Sequence, residues 1–429
     1  MTDFQKKLKK LYGAVPDEVR QRIADGIEKN RKRSAELHFS SPDGKPENIV
    51  HFECDLEQHD FLFGFGLFPL CELHGEQLKN WQDICCKLFN LGITPLVWGE
   101  YEPARGVERY STGSVYRFRR PATDDALAFC REFGMKLKAH ALMTHLSIPS
   151  YLPEEKAAMQ RETALHYSRL AERYDGIIDI FDGVNEPLSH AKLRQSLPAF
   201  FNDDDYEEWN YREISKYFKK SSLFINENFH PECFQGTASG YYKLLQKLLA
   251  VPEIRIDGIG FYYHIFNTEE DLTERFDEFL NPASLLDRFD CYAVFGKEIQ
   301  LSELSVPVLH GDEESQCLMA EEIYRTAFSH PAVHSITWWN TIAGMVQQGE
   351  EGLDSGFLRH DLSERPACAM LKKLINGEWH TVVSAENCGD NFSFRGFCGR
   401  YRYRAITAEQ KVHSGTFDLI ADGTQQLRF

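Results

Sequence analysis

The sequence predicts an α/β chain built on a (β/α)8 TIM barrel, with an N-terminal helix-hairpin extension and a small C-terminal all-β appendage. Three observations lead there. Eight short apolar runs recur along the chain, and segments with helical periodicity lie between them. After the last such segment the composition changes to short alternating runs split by Gly, Asn and Asp. A length of 429 residues with 42% hydrophobic content accommodates one large barrel with an appendage and a sizeable core.

The elements follow in order. Residues 16–34 (PDEVRQRIADGIEKNRKRS) read as an exposed helix, with Pro and acids at its start and basic residues at its end. Two alternating runs separated by SPDGKPEN then predict a β-hairpin. The barrel runs are FLFGFGLF (61–68), GITPLVW (92–98), MKLKAHALM (135–143), IIDIFDGV (177–184), SLFINE (222–227), IDGIGFYYH (256–264), KEIQLSEL (297–304) and AVHSITWW (332–339). Helical segments between them include GEQLKNWQDICCKLFNL, DDALAFCREFG, PEEKAAMQRETALHYSRLAERY and AEEIYRTAFSH, and ERPACAMLKKLI closes the series. The charged stretch after Glu186 predicts an extended loop over the active face before its helix. The chain thus divides into an N-terminal extension (1–59), the barrel (60–377) and a small all-β domain (378–429). The aromatic words FSFRGF and RYRYR in the last segment fit a small sandwich with its rings in its own core, or a carbohydrate-binding module.

A net charge of −17 argues against non-specific binding to nucleic acid or an anionic membrane and leaves neutral substrates open. No segment approaches the roughly 18 unbroken apolar residues of a membrane span. Eleven cysteines, an odd number with no C-x-x-C pair, read as free thiols of a reducing compartment. The charged start MTDFQKKLKKLYGAV lacks the apolar core of a signal peptide, so a cytoplasmic protein is expected unless a leader was trimmed. Oligomeric state is left open.

Two apolar runs end in carboxylates. Asn185-Glu186 closes the fourth and Glu303 closes the seventh. In a barrel, strands four and seven face each other across the mouth, where active sites form. Two carboxylates flanking one cleft are the minimal equipment for cleaving a glycosidic bond. The plain alternative is a pair of surface acids at loop starts.

The words around these residues resemble glycoside hydrolase family 10, whose best-known members are endo-β-1,4-xylanases. The resemblance covers about residues 60–375 and rests on WGEYEPARG, KAHALMTHLSIPSYL, GVNEP, IDGIGFYYH, LSELSVP and ITWWN in that order. It implies a retaining hydrolase of β-linked oligo- or polysaccharides, xylan or xylo-oligosaccharides foremost, that needs no cofactor or metal. Glu186 would be the general acid/base and Glu303 the nucleophile. Asn185 would hydrogen-bond the sugar 2-hydroxyl, His264 would orient the nucleophile, and His140 would contact the same sugar. Trp339 would floor the site, with Trp338 pointing the opposite way along the strand. His140 and His145 suggest a metal only weakly, since two ligands on one strand would stand two apart.

The resemblance departs on the glycone side. Where xylanases usually carry an Asn and a Lys in the second-strand word, this chain has Thr94 and Val97. Thr144 stands for a Trp, Tyr262 for a Gln, and no second Trp follows strand eight in TIAGMVQQG. Replacing a Lys by Val removes charge-assisted hydrogen bonds of roughly 1.5–3 kcal/mol each. A different β-glycan, a small-molecule glycoside, or a non-catalytic sugar-binding protein derived from such an enzyme are therefore alternatives.

Overall fold

A computed structural model describes residues 1–189, 191–231, 234–347, 350 and 354–429. Among the described residues, fifteen strands form three sheets. The central one is a closed barrel of eight parallel strands: β3 (Leu62–Gly66), β4 (Leu91–Pro95), β5 (Lys136–His140), β6 (Ile180–Asn185), β7 (Ser222–Asn228), β8 (Gly258–His264), β9 (Glu298–Ser305) and β10 (Val333–Trp338). Each lies within one of the eight apolar runs or overlaps it. These strands are buried along nearly their whole length, as parallel strands covered by helices must be.

The hairpin expectation is corrected. β1 (Lys32–Ser40) and β2 (Ile49–His59) do not pair as a hairpin; they diverge into different sheets. β1 lies between β12 (Asn391–Phe397) and β15 (Gly423–Arg428), and β2 between β11 (Val382–Gly389) and β13 (Gly399–Thr407), with β14 (Val412–Leu419) at the edge. The N-terminal and C-terminal strands therefore share one two-layer sandwich across the boundaries drawn from sequence. Packing is the reason: the rings of Phe39 in β1 and Phe52 in β2 stand tilted with centroids 5.3 Å apart, and Phe52 meets Phe392 at 5.7 Å. A two-stranded hairpin has too little apolar surface to stand alone. Tyr401 and Tyr403 turn into this core, while the alternate arginines Arg400, Arg402 and Arg404 reach out to Gln58, Glu57 and Glu53.

Two helices precede the sandwich. The helix Asp17–Arg31 lies within its expected span of 16–34 but ends three residues earlier, where β1 begins, and the charged start also folds, as the helix Asp3–Gly13 with a Thr2 capping box. Its Phe4, Leu8 and Tyr12 recur at intervals of four and are buried. Arg31, buried at the helix end, donates to the carbonyls of Phe328 (2.5 Å), His330 (2.6 Å) and Val333 (2.6 Å), fastening helix and sandwich to the barrel beneath β10.

The segment after Glu186 is more regular than an extended loop. A short helix Ala191–Gln195 and a 3-10 turn Ala199–Asn202 precede the helix Tyr206–Tyr217, with Arg194 bridging to Glu207 at 3.0 Å. His190 in this segment, and residues 348–349 at the end of TIAGMVQQG, lie outside the described residues.

Candidate active site

The C-terminal ends of the barrel strands open on a cleft of about 480 Å³. Its lining includes Asn185 and Glu186 from the end of β6, Tyr262 and His264 from β8, Glu303 from β9, His140 from β5 and Trp339 just past β10. All six residues singled out from the sequence thus meet in one cavity. Trp339 faces it, and Trp338 points away, donating from Nε1 to the Ser355 carbonyl at 2.9 Å.

Glu303 is 4% exposed, and its two oxygens are gripped separately. Oε2 accepts from His264 Nε2 at 3.2 Å, and Oε1 accepts from Asn226 Nδ2 at 2.7 Å. His140 Nε2 stands 3.5 Å from Oε1. Burial pushes the Glu303 carboxyl up, but the His140 charge and the His264 hydrogen bond outweigh it and hold it below the usual carboxylate range. His140 has the converse balance. Burial disfavours its charge, yet Glu303 and Asp182 raise it above the ordinary imidazole value.

Behind His140 runs a buried chain of charges. Asp182 Oδ2 accepts from His140 Nδ1 at 2.8 Å, and Asp182 Oδ1 pairs with Lys138 Nζ at 2.9 Å. Lys138 in turn donates to Gln300 Oε1 at 3.1 Å. Both His140 nitrogens are thus turned to carboxylates. Among the described residues, no group of three or more His, Cys, Asp or Glu side chains could hold a metal ion.

Glu186 leaves β6 with a left-handed backbone, φ 51°, an uncommon conformation for a residue with a side chain and one that gathers at functional sites. The turn is fixed from outside: Glu186 N–H donates to the Asn226 carbonyl at 2.8 Å. Buried Glu227 then holds the following loop, accepting from Leu188 N at 2.7 Å and Ser189 Oγ at 2.6 Å. Asn226 also ties the two carboxylates together. Its Nδ2 reaches both Glu303 Oε1 and Asn185 Oδ1 (2.8 Å), and Asn185 Nδ2 donates to Glu186 Oε1 at 3.2 Å. A relay of two amides therefore joins one glutamate to the other.

Asn226, Asp182 and Lys138 were missed in the sequence. Each is a polar residue inside an apolar strand run, fully or almost fully buried. That is the available signal, since a polar group in a parallel barrel strand must find partners inside the barrel. Of the four substituted positions named above, Val97, Thr144 and Tyr262 line the cleft, whereas Thr94 is fully buried and does not.

Comparison with known proteins found relatives of this chain. The profile of glycosyl hydrolase family 10 matches residues 95–345. The anti-sigma-I factor RsgI6 of Acetivibrio thermocellus is 24% identical over 412 residues, covering 92% of this chain and 47% of that protein. Endo-1,4-beta-xylanase 5 of Arabidopsis thaliana is 25% identical over 320 residues, covering 72% of this chain and 51% of the relative. The chain spans about half the length of these two curated relatives. Xylanase 10B from Thermotoga petrophila RKU-1, solved in complex with xylobiose, superposes with a TM-score of 0.57 at 17% identity, over 74% of this chain and 95% of that one.

Proposed function

This chain belongs to glycosyl hydrolase family 10, and on that premise we propose that the cleft hydrolyses β-linked glycans, xylan or xylo-oligosaccharides foremost, with retention of configuration. Glu303 attacks the anomeric carbon as a carboxylate while Glu186 protonates the departing oxygen. Glu186 then takes a proton from water, which releases the sugar from Glu303. Asn185 reaches the sugar 2-hydroxyl, His264 orients Glu303, and His140 with Trp339 seats the ring. The observation that carries this assignment is the asymmetry between the two acids. Glu303 is enclosed by His140, His264 and Asn226 and kept ionised, as a nucleophile must be. Glu186 is partly exposed at the loop start, where it can meet water.

The test is replacement of each acid. Glu303→Ala should abolish turnover on aryl β-xylosides and xylobiosides. Glu186→Ala should cost about 10²–10⁴-fold on substrates with a poor leaving group and far less on activated ones. NMR of the first product should show the β-anomer; an α-anomer overturns the mechanism.

A second function is favoured by one observation. A relative that carries the name of a regulatory factor, not of a hydrolase, matches over 92% of this chain. A sugar-binding role without hydrolysis would be recognised by calorimetric binding of xylobiose to a protein that leaves every aryl β-glycoside intact.

A further inference from the structure

Two consecutive arginines in the connection between β4 and β5 turn inward, where arginine seldom goes without a partner. Arg119 is 1% exposed and Arg120 8%. Arg119 donates to Asn340 Oδ1 at 2.9 Å and lies 4.3 Å over the Phe68 ring. Phe68 meets Trp339 edge-on at 4.7 Å, so this arginine backs the floor of the cleft. Arg120 belongs to the cleft wall itself. Its Nη2 donates to Glu100 Oε1 at 3.2 Å and its Nε to Glu100 Oε2, a two-point ion pair whose members both line the cavity. A third buried arginine sets that pair in place. Arg109 donates to the backbone carbonyls of Glu100 (3.0 Å), Arg120 (3.3 Å) and Val115 (2.7 Å).

We propose that Glu100 and Arg120 form a clasp for the sugar next to the ring held over Trp339, a role that presupposes the hydrolase activity proposed above. Of the side chains that the second-strand segment sends into the cleft, Pro95 and Val97 offer no hydrogen bond, and Glu100 does. After pairing, the guanidinium retains unused N–H groups and the carboxylate retains lone pairs. Fixed donors beside fixed acceptors match two adjacent hydroxyls, each able to give and take a hydrogen bond. The clasp therefore selects a sugar with a vicinal diol. Because three arginines and an ion pair are already in place, little ordering is left for the moment of binding.

The experiment compares 4-nitrophenyl β-xylobioside with 4-nitrophenyl β-xyloside in wild type, Glu100→Gln and Arg120→Leu. Glu100→Gln keeps the shape if Arg120→Leu fails to fold. The clasp predicts that kcat/KM on the bioside falls at least tenfold more than on the monoside, chiefly through KM. Equal losses on both substrates, or none on the bioside, overturn it. Wild type cleaving neither substrate overturns the proposed activity instead. Calorimetry with xylobiose then decides the clasp: at least tenfold weaker binding to Glu100→Gln supports it, and unchanged or absent wild-type binding overturns it.

Discussion

Glu303 sits where burial alone would protonate it, and its neighbours reverse that outcome. Since its value is depressed, its titration contributes stability above the ordinary carboxylate value of about 4.3, lost as pH falls through the depressed value. His140 has the opposite sign. Its contribution is complete below about pH 6.5 and is lost as pH climbs through the raised value. The pair is thus worth most between about pH 4.3 and 6.5. In His140→Phe the gap in Tm from wild type should be widest in that window, and the acid limb of kcat/KM should move to higher pH. A gap that stays flat across the range would show that the two groups are not coupled. Glu186 and Glu303 were legible because each ends an apolar run with a carboxylate, a pattern that barrel geometry turns into proximity. Asn226 was not legible as their link. Its neighbour Glu227 gave the same run an acidic end, and only three-dimensional pairing shows which of the two reaches Glu303.

At the scale of elements, the strands act as spacers that set those contacts. Gly260 in β8 pairs with Asn226 in β7, and a Cβ there would stand 2.6 Å from Asn226 Oδ1. Gly260→Ala touches no residue lining the cleft, yet it should push the amide out of line. Turnover is expected to fall at least tenfold while the far-UV circular dichroism is kept; unchanged kinetics would mean that Asn226 has slack. The helix Asp17–Arg31 matters for a different reason. Replacing Arg31 with Met leaves three buried carbonyls without their charged donor, a loss of about 3 kcal/mol or more. Thermal melts should register it as a marked fall in Tm. All eight barrel strands were readable from apolar runs because burial on both faces removes alternation and leaves blocks. The helix Asp3–Gly13 escaped notice because its buried face is three residues among many lysines.

At the scale of the molecule, the barrel was predictable from counting and a small C-terminal sandwich from its alternating words, whereas the pairing that draws β1 and β2 into that sandwich was not. Alternation shows that β1 and β2 each have one buried face, but nothing local says which distant strand covers it. Lys32 aligns with Phe397 and Ser40 with Arg428, pairings that skip the entire barrel. Ending the chain after residue 377 removes every strand that pairs with these two among the described residues. Limited proteolysis of that fragment should cut it between residues 32 and 59, and protease resistance of that stretch would contradict the shared sandwich.

Strands so remote in the chain also impose a sequence of events during synthesis. When β1 emerges from the ribosome its neighbours do not yet exist, and they arrive only after the whole barrel has been made. Its apolar side, Ala35, Leu37 and Phe39, must stay uncommitted through that interval. Completion of β15 is therefore the step that shelters β1, and a growing chain remains most prone to aggregate until that strand has been added.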